Sequence, residues 1–197
     1  DNLFFKSTAT LHPKYKTPWV GTILTGIFAR RGLDLYAIDD GAGLLYRFDL
    51  NGQLRARVSY AEGLREAGLT PGRTADFALG PSGDLYLLDR IGGRLLLFDQ
   101  EGRFVTDLFA GLAGPGRPRT PARLAVADDG SLFVLDTTGC RIRRFSREGV
   151  PLGDWSGLAP GETSVEPPGL LTVTSNGRVV LVSRGEGRIW VRDAFGR

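Results

Sequence analysis

The chain has 197 residues, a formal net charge of +3 and 42% hydrophobic residues, and it begins with Asp1. One cysteine excludes an internal disulfide framework, and no apolar run approaches the roughly 20 residues of a membrane-spanning helix. A charge this small does not by itself indicate nucleic acid as the partner, and no segment indicates a compartment. Because no initiator methionine is present, we expect a processed product or a piece of a longer chain.

The succession of predicted strands and turns along the chain indicates an all-β protein with many short strands. Residues 1–20 form a lead-in with one predicted strand at 3–11 (LFFKSTATL), which His12-Pro13 and Pro18 then interrupt. Four segments of short predicted strands follow, at residues 22–58, 74–109, 122–155 and 169–197. The links between them are rich in Gly and Pro, which suits turns rather than strands. The first link is also predicted to hold a short helical turn within residues 60–69.

Two independent markers recur in one register along these segments. A glycine follows the third strand of each segment, at Gly52, Gly102, Gly149 and Gly196, in steps of 50, 47 and 47 residues. The residues that end the second strands, Asp39, Asp89, Asp136 and Ser183, are separated by the same steps. A period in the high forties is typical of a four-stranded propeller blade. The sequence therefore predicts one β-propeller domain over residues 1–197, and we number the four segments blades 1 to 4.

The last blade has only three predicted strands. Residues 3–11 could supply its fourth strand, which would close a ring of four blades and leave no long open edge. The alternative is that the four blades form part of a larger propeller. The sequence leaves both arrangements open.

The repeats resemble the NHL family. The matching cores are LYLLDRIGGRLLLFDQEG in blade 2 and LFVLDTTGCRIRRFSREG in blade 3, whereas blade 1 has Leu44 where blade 2 has Arg94. Blade 4 departs further, with Ser183 for the aspartate and Arg192 for the phenylalanine. The resemblance implies a β-propeller, commonly of six blades, whose members usually bind proteins or RNA. A few propeller relatives are enzymes, so the resemblance predicts a fold more firmly than a function.

The recurring turn residues are interpreted as structural. A short carboxylate before a Gly-rich turn can accept backbone N–H bonds and fix that turn, which is our expectation for Asp39, Asp89 and Asp136. The glycines of these turns, expected to have positive φ, are Gly43, Gly93, Gly139 and Gly187. The arginines that open the third strands, such as Arg94 and Arg141, are expected to bond to the turn or to the next blade. The alternative for the aspartates is a ring of carboxylates around a cation.

The candidate binding face is the one that gathers the links. Links and the turns after the second strands share one face of a propeller, and long loops on a rigid scaffold are where ligands usually bind. The charged candidates on this face are Arg65, Arg73, Arg90, Arg117, Arg119, Glu162 and Glu166. Arg117 and Arg119 stand out because no acidic residue lies near them in sequence.

A search for catalytic chemistry finds little. His12 is the only histidine, and Cys140 occupies a turn position that is glycine in the other three blades. We therefore assign no catalytic residue, no metal ligand and no cofactor, with calcium as the only cofactor considered. We expect a non-catalytic interaction module that docks a protein partner or serves as a subunit or domain of a larger assembly. The alternatives are a calcium-dependent propeller hydrolase or lyase and an RNA-binding NHL domain, and the sequence does not indicate an oligomeric state.

Overall fold

The structure is a computed structural model that describes residues 28–31, 34–156, 169–183 and 187–197. This part of the chain holds fifteen strands and one α-helix, so the predicted all-β class is confirmed. The strands of blades 1 and 2 are β1 Phe28–Arg31, β2 Asp34–Asp39, β3 Leu44–Asp49, β4 Leu54–Ser59, β5 Thr74–Leu79, β6 Leu85–Asp89, β7 Arg94–Phe98 and β8 Phe104–Asp107. Those of blades 3 and 4 are β9 Pro121–Val126, β10 Leu132–Asp136, β11 Arg141–Phe145, β12 Pro151–Ser156, β13 Leu170–Val173, β14 Val179–Ser183 and β15 Arg188–Arg192.

Each blade is one antiparallel sheet whose strands follow one another in chain order. Blades 1, 2 and 3 have four strands, and blade 4 has the three strands β13-β14-β15 within the described residues. The strand predicted at residues 3–11 lies outside the described residues, so ring closure and the boundaries of the single domain stay predictions. The link that carries Glu162 and Glu166 lies outside them as well.

The chain divides into two compact units. The first comprises Asp1–Pro71 with Phe98–Phe104, and the second comprises Gly72–Leu97 with Val105–Arg197. In the second unit the first strands β5, β9 and β13 lie side by side. Two hydrophobic clusters fill the second unit, one between blades 2 and 3 around Tyr86 and Phe145, the other between blades 3 and 4 around Phe133 and Trp190. Burial of each such side chain stabilises the fold by about 1.5–3 kcal/mol.

The first unit contains the predicted helical turn, α1 Tyr60–Glu66. Ser59 caps it, because its hydroxyl accepts a hydrogen bond from the Glu62 backbone N–H at 3.2 Å. Tyr60 is buried and meets the Phe98 ring edge to face, with centroids 6.1 Å apart. The helix thus packs its apolar side against residues of the first unit. No described helix is long and apolar enough to cross a membrane.

One turn geometry explains the marker glycines. In seven hairpin turns the first residue donates its N–H to the carbonyl four residues on, and the glycine between them donates back to the first carbonyl. These turns begin at Asp49, Gly80, Asp99, Ala127, Ser146, Thr174 and Asp193. The glycine has a φ between 76° and 92° in all seven, a conformation that side chains with a Cβ disfavour. The repeat period therefore records a backbone requirement of these turns.

Candidate binding strip at the link end of blades 2 and 3

The antiparallel order gives each sheet two ends. The link end holds the turn after the second strand and the links between blades, and the hairpin end holds the other turns. Within the second unit, the link end of blade 2 lies next to the link end of blade 3, and their hairpin ends are neighbours as well. Arg117 of the link reaches the turn of blade 2 at the link end, whereas Arg147 lies 3.6 Å from Asp84 at the hairpin end.

Asp89 holds the link-end turn of blade 2 in place. Its carboxylate is fully buried and accepts bonds from the backbone N–H groups of Ile91 and Gly92 through Oδ1, at 3.0 and 3.1 Å. Oδ2 accepts from Nε and Nη2 of Arg94, at 2.9 and 2.6 Å. A Cβ on Gly72 would lie 2.1 Å from Oδ1, so only glycine fits beside the carboxylate. The turn is therefore rigid, and its charge is compensated internally.

Asp136 does the same for blade 3 with different partners. Oδ2 accepts from the Arg119 backbone N–H at 2.9 Å and from Arg143 Nε at 3.2 Å, and Oδ1 accepts from the backbone N–H groups of Thr120 and Thr138. Burial acts to raise the pKa of the Asp136 carboxyl, but the bonds from Arg119 and Thr120 outweigh it, so that pKa lies below its ordinary value. Both oxygens are occupied, which leaves no lone pair directed at a cation.

The sequence expectation about the third-strand arginines holds only in part. Arg94 bonds to the turn carboxylate Asp89, as expected. In blade 3, Arg141 instead pairs with Asp154 of β12, and Arg143 takes the place beside Asp136.

Blade 1 shows what happens without such an arginine. Asp39 is fully buried, and its Oδ1 accepts from the Ala42 backbone N–H at 3.0 Å. Its Oδ2 has no hydrogen-bond partner within the described residues, and Leu44 stands at the position of Arg94. Among the described residues no group of three His, Cys, Asp or Glu side chains could hold a metal ion.

Cys140 stands at the turn position that Gly43, Gly93 and Gly187 occupy in the other blades, directly after Gly139. The glycines Gly43, Gly93, Gly139 and Gly187 have φ values of 66°, 57°, 75° and 63°. Cys140 has a φ of 47°, the one positive value among described residues other than glycine. Burial raises the pKa of the Cys140 thiol, which disfavours the thiolate that a nucleophile requires. The only histidine, His12, lies outside the described residues.

Four arginines form the basic strip, which we define as Arg73, Arg90, Arg117 and Arg119. The backbone N–H of Arg90 donates to the Arg73 carbonyl at 2.8 Å, so these two residues are neighbours. Arg117 Nη2 donates to the carbonyls of Gly92 and Gly93, at 3.3 and 3.2 Å. Arg119 is anchored through its backbone, and its side chain is exposed, as are those of Arg73 and Arg90. Arg65 is exposed on α1 in the first unit and is not part of the strip.

Within the described residues, no carboxylate compensates the positive charge of the basic strip. No carboxylate of the described chain lies within ion-pair distance of its four guanidinium groups, and Arg117 contacts only neutral carbonyls. Three arginines at the hairpin ends, by contrast, are paired with an aspartate, with distances of 2.5 Å for Arg55–Asp49, 2.7 Å for Arg103–Asp99 and 2.9 Å for Arg197–Asp193. The arginines of the basic strip therefore differ from these three in having no described carboxylate partner.

A cluster of hydroxyl groups lies beside Arg119. Thr137 Oγ1 donates to Thr120 Oγ1 at 2.9 Å, and Thr120 Oγ1 lies 2.7 Å from Thr138 Oγ1. We call Thr120, Thr137 and Thr138 the threonine cluster. Sequence reasoning did not identify it, because Thr120 belongs to a link and the other two residues to a turn 17 positions later. Thr-Thr in the blade 3 turn, in place of Arg-Ile in blade 2, was the available signal.

The fold is similar to that of solved β-propellers. A streptogramin B lyase structure matches with a TM-score of 0.56 at 16% identity, over 90% of this chain and 56% of that one. Selenomethionine-substituted virginiamycin B lyase from Staphylococcus aureus matches with 0.52 at 12% identity, over 87% and 64%. A protein of unknown function from Bacteroides caccae matches with 0.55 at 12% identity, over 87% and 61%. No family model and no curated protein sequence matches the chain.

These similarities define the class of the protein as a β-propeller. At such identities they concern the fold alone, and the chain spans less than two thirds of the length of each of these structures. Neither the NHL resemblance nor an activity follows from them.

Proposed function

We propose that the chain is a non-catalytic β-propeller interaction module of NHL type, which docks a protein partner through the basic strip. The observation that carries the proposal is the set of four arginines without a carboxylate partner in the described chain, next to turns whose carboxylates Asp89 and Asp136 are paired with arginines of the sheets. In the same proposal residues 1–197 form one domain, a complete ring or part of a larger propeller. Arg65, Glu162 and Glu166 remain candidate binding residues on the grounds of sequence alone.

The rigidity of the strip supports a docking role. Asp89 and Asp136 fix the two turns, and Arg117 ties the link between them to the blade 2 turn. Binding to a surface whose backbone is already ordered costs little conformational entropy. Exposed arginines on such a surface suit bidentate recognition of carboxylates.

RNA binding is the second candidate, because the NHL resemblance and the exposed arginines both favour it. A phosphate-binding strip would lose affinity steeply as salt increases. A calcium-dependent lyase is the third candidate, supported by two matched structures that are named as lyases. Against it, the link-end carboxylates Asp89 and Asp136 are already saturated by hydrogen bonds, and the described part of the chain shows no group of metal ligands.

The test is affinity capture by the full chain from a lysate of the native host, with and without nuclease. We compare the wild type with the double variant Arg90→Glu, Arg119→Glu. The matched control is Arg178→Glu, because Arg178 is exposed at the hairpin end of blade 4. A stoichiometric protein that survives nuclease, is lost from the double variant and is retained by the control would support the proposal. Capture that disappears with nuclease would favour RNA, and capture that the double variant retains would exclude the basic strip.

A further inference from the structure

We propose that the partner segment recognised by the basic strip is an acidic stretch of protein, with carboxylates on either side of an apolar residue. The inference rests on the proposed function and specifies the chemistry of its ligand. It is carried by the charge, the hydrogen-bond donors and the side-chain types that the structure places at the link end of blades 2 and 3.

The described residues supply no anion to balance the positive charge of the strip. Three carboxylates at this end of the second unit are already paired with arginines of the sheets, as Asp89–Arg94, Asp136–Arg143 and Asp154–Arg141, and Asp107 accepts from the backbone N–H groups of Leu95 and Phe109. The opposite charges of each pair cancel, whereas the exposed guanidinium groups of Arg73, Arg90 and Arg119 have no described carboxylate to balance them. Because a guanidinium offers parallel N–H donors, it matches a carboxylate in geometry as well as in charge.

The surroundings of the arginines suit a peptide. Ile91 follows Arg90 at the tip of the blade 2 turn and is 77% exposed, so it offers an apolar contact next to a cation. At the other end of the strip, the exposed Arg119 guanidinium can donate to a second carboxylate, and residue 120 beside it belongs to the threonine cluster. The extended backbone at Arg117 lies between the blade 2 turn and Arg119. A ligand with acid, apolar and acid positions would meet a complementary group at each of them.

The side chains argue against nucleic acid as the ligand. Single-stranded RNA is usually held by stacking its bases on exposed aromatic rings, worth roughly 1–3 kcal/mol per base. The described aromatic residues of blades 2 and 3 are mainly core residues, among them Tyr86, Phe109 and Phe145. Among the exposed large hydrophobic residues of the described chain the one aromatic is Phe195, which lies in the hairpin-end turn of blade 4. The strip therefore offers charge without a stacking surface.

The experiment measures fluorescence anisotropy with the full chain and three fluorescein-labelled probes. They are a peptide of repeated Glu-Glu-Leu-Gly units, the same peptide with Gln for Glu, and an oligouridylate of similar length. We expect the Glu peptide to bind more tightly than either other probe, and to weaken between about 50 and about 200 mM salt. Arg90→Gln with Arg119→Gln should weaken the Glu peptide by at least about tenfold, since two charge-assisted contacts are lost. The double variant Thr137→Val, Thr138→Val should weaken binding of the Glu peptide less, and Arg178→Gln should leave that binding unchanged.

Three results would overturn the inference: no binding of the Glu peptide, equal binding of the Gln peptide, or tighter binding of the oligouridylate. Its failure can be told apart from that of the proposed function. If the strip captures a nuclease-resistant protein but not the Glu peptide, docking stands and the acidic chemistry is wrong. If neither is bound through the strip, both proposals are wrong. Circular dichroism of each variant confirms that a loss of binding does not reflect unfolding.

Discussion

The pair formed by Asp89 and Arg94 permits a quantitative test of how the link-end turns are stabilised. Asp89→Asn keeps the size of the side chain and leaves one oxygen to accept from the backbone N–H groups of Ile91 and Gly92. It replaces the other oxygen with an amide group that faces the Arg94 guanidinium. The two bonds that are lost measure 2.9 and 2.6 Å, and both join full charges.

The expected cost follows from burial. Removing one partner of a buried ion pair typically destabilises a protein by about 3–5 kcal/mol, because the other charge stays desolvated. The Arg94 side chain is 18% exposed and can regain some water, which places Asp89→Asn near the lower limit, at about 3 kcal/mol. The equivalent Asp39→Asn should cost less than about 1 kcal/mol. Asp39 Oδ2 has no partner among the described residues that the substitution could remove.

The assay is equilibrium unfolding in guanidinium chloride, followed by far-UV circular dichroism. A double-mutant cycle adds Arg94→Leu, which copies the Leu44 of blade 1, and the combination Asp89→Asn, Arg94→Leu. Because the double variant leaves no unpaired charge, it should be more stable than the sum of the single effects predicts. We expect a coupling energy of about 2–3 kcal/mol.

The reasoning would be refuted if Asp89→Asn cost no more than Asp39→Asn. That result would mean that water already screens the Asp89–Arg94 pair. A coupling energy close to zero would also refute it, since the two residues would then contribute to stability independently.

Three further predictions concern the turns and their carboxylates. Cys140→Gly should be more stable than Cys140→Ala by about 1 kcal/mol in the same unfolding assay, because the φ of 47° favours glycine, and equal stabilities would contradict this. Gly149→Ala should lower the melting temperature more than Gly52→Ala, since a Cβ at Gly149 would lie 2.7 Å from the Leu108 carbonyl whereas Gly52 has open space; equal shifts would refute the close approach. Because the pKa of Asp136 is lowered in the folded state, its carboxylate stabilises the fold at pH values above the ordinary aspartate pKa of about 3.9. This stabilisation is lost as the pH falls through the lower folded value. Thermal melts between about pH 2 and about pH 5 should therefore show a flatter acid dependence for Asp136→Asn than for the wild type.

The fold could be predicted because its repeat signal has a local physical cause. Gly52, Gly102, Gly149 and Gly196 occupy one turn position, and a single hydrogen-bond pattern requires positive φ there. A requirement that depends only on neighbouring backbone leaves a mark in the sequence wherever the turn occurs. The strand order then follows, because such turns join adjacent antiparallel strands. The confirmed all-β class rests on these local rules.

The partners of the buried carboxylates were harder to predict, because they depend on side-chain packing. Arg141 and Arg143 are two residues apart in β11 and so share a face of the sheet. Asp136 pairs across the strands with Arg141, yet it is the Arg143 guanidinium that reaches the carboxylate, while Arg141 turns to Asp154. Sequence spacing fixes the face but not which of two arginines extends to the acid.

The candidate site was predicted in outline and missed in detail. Arg90 and Arg119 were identified as candidates of the link face, Arg119 because no acid lies near it in sequence, and the structure leaves their guanidinium groups without a described carboxylate. Arg117 differs, since it also holds the Gly92 and Gly93 carbonyls and so has a structural contact. The threonine cluster was missed because its members meet through folding alone. Their assignment to binding remains a prediction.

The difference between the arginines of the sheets and those of the links and turns explains why positive charge accumulates at the link end of blades 2 and 3. Arg94 and Arg143 lie in the sheets, and each neutralises the aspartate that the turn of its own blade requires. A further pair of this kind would leave the surface charge unchanged. Only residues outside the sheet pattern, such as Arg90 and Arg119, can alter the charge that a partner encounters. The turn carboxylates can therefore stabilise the fold, while arginines outside the sheets determine the sign of the surface charge. If this is correct, exchanging Arg119 should change binding with little effect on unfolding, and exchanging Arg143 should change unfolding first.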